Sequence, residues 1–359
     1  MTAPIGKDSM GLDLVEAVCV AAEPVALATI IEVRGSSPRH PGSKLLLGAP
    51  GGALGTVGGG QGEARALEAC RRGLAGGGCE LLSVEMVGTD LASPAMVCGG
   101  SNLMLIEALA DPAPYREARA RLARGERVLW VKRIQGGPGP VAVSATLCGQ
   151  DGAPICGSGD GLRPEAAARA LATGQAAYDP EAQVFYDPVM PEEKLLILGG
   201  GHVGQALAAL APALGFAVTV ADDRPEFTAD GRFPPGVRTL LAGFEQAVAG
   251  FPFDSATYAV VLSRGHRSDL ECVRAVLRRE YRYAGFMGSA RKTRLILDQA
   301  LQDGFDPAKV AALWAPIGLD IGAETPAELA VAILAELVAV RRNAAVLPGL
   351  AQARAARRA

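Results

Sequence analysis

The chain has 359 residues, of which 49% are hydrophobic and 20% charged, and 35 Lys and Arg against 38 Asp and Glu leave a formal net charge of −3. At about 150 residues per domain this predicts two domains, and the apolar content excludes a disordered chain. Without an excess of basic residues there is no electrostatic footprint for nucleic acid. Forty-five glycines and 5% aromatics predict many backbone turns and few stacking platforms.

In chain order, the β-branched run at residues 25–33 (VALATIIEV) predicts a buried strand that ends in the turn-rich segment 35–39. A second strand is expected at 44–47, a glycine loop at 55–60 (GTVGGG), and a helix at 63–74 with Ala66, Leu67, Cys70 and Leu74 on one face. Gly76, Gly77 and Gly78 stop that helix. Strands follow at 81–87 and 103–107, separated by Met96-Val97-Cys98-Gly99-Gly100. From residue 113 the pattern reads helix, strands at 127–134 and 141–147, helix at 164–173 and strand at 184–186. Residues 1–190 are therefore read as an N-terminal mixed α/β domain, with a linker near 188–193.

Beyond the linker the alternation becomes regular. Strand 195–198, helix 205–214 and strand 218–220 are followed by strand 257–262, helix 270–279, strand 283–287 and helix 290–302. This alternation means a parallel sheet with covering helices, a Rossmann-like doubly wound α/β domain over 191–343. A last helix at 326–340 carries an apolar face, and residues 344–359 form an Ala/Arg-rich flexible tail. Residues 195–221 contain no Asp, Glu, Lys or Arg, yet their three consecutive glycines and a proline exclude a membrane helix. The seven cysteines are odd in number and show no CxxC spacing, which fits neither a disulfide framework nor a zinc site. With no apolar signal core at the start, a reducing cytoplasm is expected.

Gly199-Gly200-Gly201-His202-Val203-Gly204 fits G-x-G-x-x-G between a strand and a helix, and Asp222 lies eighteen residues beyond Gly204 after the next strand. Gly199 would make the tight turn, Gly201 would admit a pyrophosphate, Gly204 would let the helix pack, and Asp222 would take ribose hydroxyls. His202 and His266 (in SRGHRSD) follow strands at the end where doubly wound folds bind ligands. In the first domain, loops 35–39, 55–61 and 96–102 combine Ser36, Ser37, Arg39, the Gly58–Gly60 run and the Gly99-Gly100 pair, chemistry suited to an anionic ligand. Cys98 lies in a glycine turn, where its thiol would be approachable, whereas Cys19, Cys70 and Cys79 read as packing residues. No HExxH, P-loop or G-x-S-x-G motif is present.

Segments of both domains resemble the XdhC/CoxI maturation factors of molybdenum hydroxylases, most closely the aldehyde oxidoreductase-type branch. They are VALATIIEVRGSSPR, GTVGGGQGEA and MVCGGSN in the first domain. In the second they are LLILGGGHVG, VTVADDRPEF, SRGHRSD, GFMGSARK and APIGLDIGAETPAELAVAILAEL. The resemblance implies a chaperone rather than a turnover enzyme. It would bind the molybdenum cofactor (molybdopterin or its dinucleotide), assist its sulfuration with a cysteine desulfurase as donor, and pass it to an apo molybdenum hydroxylase. It makes Cys98 the contact to cofactor or sulfur, through a soft thiolate. Many relatives carry a Cys where this chain has Gln61, so the thiol chemistry falls on Cys98. From residue chemistry, Arg39 would pair with a phosphate or the Mo-oxo group, and Gly58, Gly59, Gly60 and Gln61 would supply backbone N–H groups.

Two other readings stay open. The fingerprint alone would suit an NAD(P)-dependent oxidoreductase with His202 or His266 as acid or base, or the Rossmann domain would be only an interaction platform. The apolar last helix and the glycine-rich first domain would suit a two-fold homo-oligomer.

Overall fold

The computed structural model describes residues 10–35, 39–50, 52–76, 78–86, 100–342 and 344, the side chains of Met10 and His266 excepted. The chain divides into two units, Ser9–Pro191 and one that begins at Glu192. Among the described residues no helix is long and apolar enough to cross a membrane.

The N-terminal unit runs α1 (Met10–Val20), β1 (Val25–Arg34), β2 (Lys44–Ala49), β3 (Gly52–Gly55), α2 (Gly60–Gly76), β4 (Cys79–Met86), β5 (Gly100–Leu109), α3 (Ala113–Ala123), β6 (Val128–Gln135), β7 (Gly139–Cys148), β8 (Pro154–Cys156), α4 (Pro164–Thr173), β9 (Ala177–Asp179) and β10 (Val184–Val189). Its strands form one antiparallel sheet in the order β3-β2-β1-β5-β4-β7-β6-β10-β9, with β8 beside β7. β1 is buried on both faces, which is why it reads as a continuous apolar run. Ala26, Ala28 and Ile30 pack with Ala66, Ala69 and Cys70 of α2. Leu27 and Ile31 serve two other clusters. Two buried ion pairs, Lys44–Asp187 at 2.7 Å and Lys132–Glu107 at 2.5 Å, join strands that are not neighbours in the sheet order. The sheet therefore bends back on itself. A lone charge in that interior would cost several kcal/mol, on the order of 3–5, so each partner requires the other.

The C-terminal unit runs β11 (Lys194–Leu198), α5 (His202–Leu210), β12 (Ala217–Asp222), β13 (Arg238–Leu241), α6 (Phe244–Gly250), β14 (Thr257–Val261), α7 (Gly265–Leu277), β15 (Tyr283–Phe286), α8 (Ala290–Gln302), α9 (Pro307–Ala311) and α10 (Pro326–Arg341). The sheet is parallel, in the order β13-β12-β11-β14-β15. On β11, Leu195 and Ile197 join a core with Leu207 of α5 and Ile333 and Leu337 of α10. Leu196 and Leu198 join the opposite core with Val273 and Val276 of α7 and Ile296 of α8. The strand order reverses between β11 and β14, the switch point where doubly wound sheets bind ligands. The expected doubly wound α/β class is therefore present.

Element edges differ from the sequence reading for local reasons. α2 begins at Gly60 and α7 at Gly265, each ahead of the apolar periodicity, because their first turns are glycine or polar. The expected helix 205–214 is α5 from His202, followed by a 3₁₀ turn at Ala211–Leu214. β13 is exposed along its whole length, so no alternation marks it.

Candidate functional site

The glycine loop of the N-terminal unit is built by two side chains. Glu63 Oε2 accepts from Val57 N and Gly59 N, both at 3.2 Å, and from the Thr56 hydroxyl. Thr56 Oγ1 in turn accepts Gly58 N at 3.1 Å. Gly58, Gly59 and Gly60 have φ of +123°, +75° and +60°, a run that side-chain-bearing residues resist. Added Cβ atoms at Gly59 and Gly60 would meet nothing within 4 Å. The conformation thus requires glycine there, and packing does not. Glu63 N donates to Gly59 O, the first helical bond, so the N–H groups of Gly60, Gln61 and Gly62 stand ahead of it at the α2 N-terminus.

Asn102 lies close to this turn. It pairs with Val84 across β4 and β5, and Val84 Cγ1 is 3.5 Å from the Cβ position of Gly62. Asn102 is 3% exposed, and its Oδ1 has no hydrogen-bond partner. Sequence reasoning placed it inside MVCGGSN without a role, and its burial is visible only once β5 is placed under α2. Gly100 begins β5. Arg39 is described on the far side of segment 36–38, whereas Ser36, Ser37, Cys98 and Gly99 lie outside the described residues.

The described cysteines are all free thiols. Burial pushes the Cys70, Cys79 and Cys148 thiols up to about 11 and raises Cys272 further. A thiol held neutral in this way is a packing residue, not a nucleophile.

In the Rossmann unit the fingerprint glycines divide by role. A Cβ on Gly199 would lie 2.5 Å from Leu262 O and one on Gly200 2.5 Å from Phe227 O, while one on Gly204 would collide with Gly199 O. Gly201, the N-cap of α5, has an ordinary φ of −63° and open space where its side chain would be. His202 opens α5, and His266 lies in the first turn of α7.

Asp222, fully buried at the end of β12, is already engaged. Its Oδ2 accepts Gly200 N at 2.8 Å and Arg224 Nη2 at 3.0 Å, and its Oδ1 accepts Arg224 Nε at 2.8 Å and Arg224 N at 3.1 Å. Burial pushes the carboxyl up, but the Arg224 fork and the two N–H donors outweigh it and hold it below the usual carboxylate value. The Arg224 guanidinium lies 3.6 Å from the centroid of the Phe227 ring, and Arg232 donates to Gly200 O at 3.0 Å. Segment 224–232 therefore braces the turn from one side. The DDR sequence carried this signal, since an arginine two residues after an acid at a strand end can fork back onto it.

Residues 195–337 match the family model described as the XdhC Rossmann domain, and residues 19–85 match that of the XdhC and CoxI family. The chain is 28% identical over 338 residues to a probable xanthine dehydrogenase subunit of Bacillus subtilis, covering 90% of this chain and 96% of that protein. It is 26% identical over 322 residues to the uncharacterized protein YqeB of Escherichia coli, covering 89% of this chain. It spans only 44% of that relative's length. A crystal structure named as a xanthine dehydrogenase from Bacillus halodurans shares the fold, with a TM-score of 0.74 over 93% of this chain and 96% of that one at 24% identity. The two family matches fall on both units and together cover more than half of the residues: the chain belongs to the XdhC and CoxI family.

Proposed function

We propose that this protein is a maturation factor for a xanthine dehydrogenase- or aldehyde oxidoreductase-type molybdenum hydroxylase. Its cargo is the molybdenum cofactor, as the pterin or its dinucleotide. The observation that carries the reading is the glycine turn inside the family-matched segment. It offers an open, side-chain-free helix N-terminus suited to an oxyanion, with the unpartnered buried Asn102 amide oxygen beneath it as acceptor for an amino group. A phosphorylated amino-heterocycle fits that set.

In this reading Gly58, Gly59, Gly60 and Gln61 present the turn to the cargo, and Arg39, Ser36 and Ser37 meet its phosphate. Gly99 and Gly100 let Cys98 approach the metal or a transferable sulfur. The partners are the apo hydroxylase, a cysteine desulfurase and a second copy of the chain, in the cytoplasm. The name of the Bacillus subtilis relative supports the hydroxylase class.

The test is to purify the chain from a host that makes the cofactor and to assay pterin by fluorescence and molybdenum by mass spectrometry. Both co-elute with the wild type, and Asn102→Leu and Cys98→Ser lower the amount retained or the activation of an apo hydroxylase. A chain that purifies without pterin and leaves hydroxylase activity unchanged overturns the reading.

A further inference from the structure

Helices α7 and α8 begin side by side. They follow β14 and β15, which are neighbours in the parallel sheet, and Val273, Val276 and Ile296 bury their inner faces in one core. The fully buried Asp269 carboxylate of α7 is ion-paired with Lys292 of α8, which ties the two helix starts together.

The charge at these helix starts runs against the helix dipole. Arg264 is the N-cap of α7, although its side chain has no acceptor for the first N–H groups, and Arg267 lies in the first turn. Arg291 and Lys292 lie in the first turn of α8, and Arg294 follows. Neither helix has an acidic residue in its first turn. Cations there meet the positive end of the dipole and lower stability. Lys292 is neutralised by Asp269. Arg264, Arg267, Arg291 and Arg294 are all exposed, and none has an ion-pair partner among the described residues. Stability of the fold does not account for this cluster, on a chain whose net charge is −3.

The second observation is Leu295, which is 50% exposed, beside Arg294 and one turn beyond Arg291. An exposed apolar side chain among arginines is the anatomy of a protein interface. A small anion would be gripped by buried, convergent donors, whereas these guanidinium groups are exposed and come from two helices. Nucleic acid would stack on exposed aromatic rings, and the ring at this patch, Phe286, is 1% exposed beneath the Lys292 ammonium.

We propose that the paired starts of α7 and α8 dock an acidic surface of the apo hydroxylase. The proposal rests on the maturation-factor reading and supplies its contact face. Arg264, Arg267, Arg291 and Arg294 steer and orient the partner, Leu295 anchors it, and the Asp269–Lys292 pair holds the two helices in register.

The test is surface plasmon resonance of the full-length chain on immobilised apo hydroxylase over a range of salt concentrations. Arg291→Glu/Arg294→Glu is expected to slow association about ten-fold at low salt, and the gap is expected to close as salt screens the charges. Leu295→Ala is expected to speed dissociation about three-fold and leave association unchanged. Glutamate suits a helix N-terminus, so the double variant is expected to melt no lower than wild type. If it does melt lower, Arg291→Gln/Arg294→Gln provides the readout. No binding by wild type, or association unchanged by the double substitution, overturns the proposal. So does a single-stranded oligonucleotide that binds wild type as tightly as the hydroxylase does and is lost in the double variant. Pterin retention is expected to be equal in wild type and variants. Its absence from wild type counts against the maturation-factor reading, whereas retained pterin with variant-insensitive association counts against the docking face alone.

Discussion

The two glycine turns of this chain look alike as letters and differ as physical objects. In the N-terminal unit, Gly58–Gly60 are required by backbone conformation, with empty space around Gly59 and Gly60. In the Rossmann unit, Gly200 and Gly204 are required by neighbouring backbone oxygens, and only Gly199 combines a close contact with a positive φ. The first turn is held from within by Thr56 and Glu63, and the second from outside by Arg224, Phe227 and Arg232. Three adjacent glycines therefore do not imply one function.

The largest expected effect is at Gly199. Gly199→Ala adds a carbon against Leu262 O at a φ of +122° and is expected to destabilise the Rossmann unit by about 3 kcal/mol or more, read as a lowered denaturation midpoint. Glu63→Ala leaves Val57 N and Gly59 N without their acceptor and is expected to cost about 2 kcal/mol, with faster amide exchange confined to the loop. Gly60→Ala meets only the left-handed penalty, about 1–2 kcal/mol, and Gly60→Asn is expected to recover part of it. A loss as large as at Gly199 would erase the distinction between the turns.

Asp222→Asn tests the external brace. The folded Asp222 carboxyl titrates below its unfolded value of about 3.9, so its contribution is present above that pH and is lost as pH falls through the folded value. The variant is expected to be less stable at neutral pH by about 1 kcal/mol and to show a shallower acid limb in a stability–pH profile. The smallest effect is at Gly201, where Gly201→Ala is expected to change stability by no more than about 0.5 kcal/mol, because φ and space both permit it and the gain in chain entropy is offset by alanine being a poorer N-cap than glycine.

Much of the frame was legible. The run at 25–33 and the strand–glycine–helix order at 195–214 follow from residue type and spacing, and so does the parallel sheet. What was not legible depends on distant partners. β3 is GALG and is a strand only because β2 pairs with it. The acceptor role of Glu63 needs Thr56 seven positions earlier, and Asp269 meets a lysine from another helix. Asp222 was read correctly as the acid at the end of a strand, but its commitment to Arg224 shows only in three dimensions.

The ion pairs inside the N-terminal sheet constrain the order in which that unit assembles. Lys132 finds Glu107 across 25 positions of sequence, whereas Lys44 must wait for Asp187, 143 positions away. Closing the longer loop is entropically harder, so the early strands stay unlatched until the last one docks. A nascent chain released before residue 187 would strand a cation in the apolar interior, which makes this unit an all-or-nothing fold.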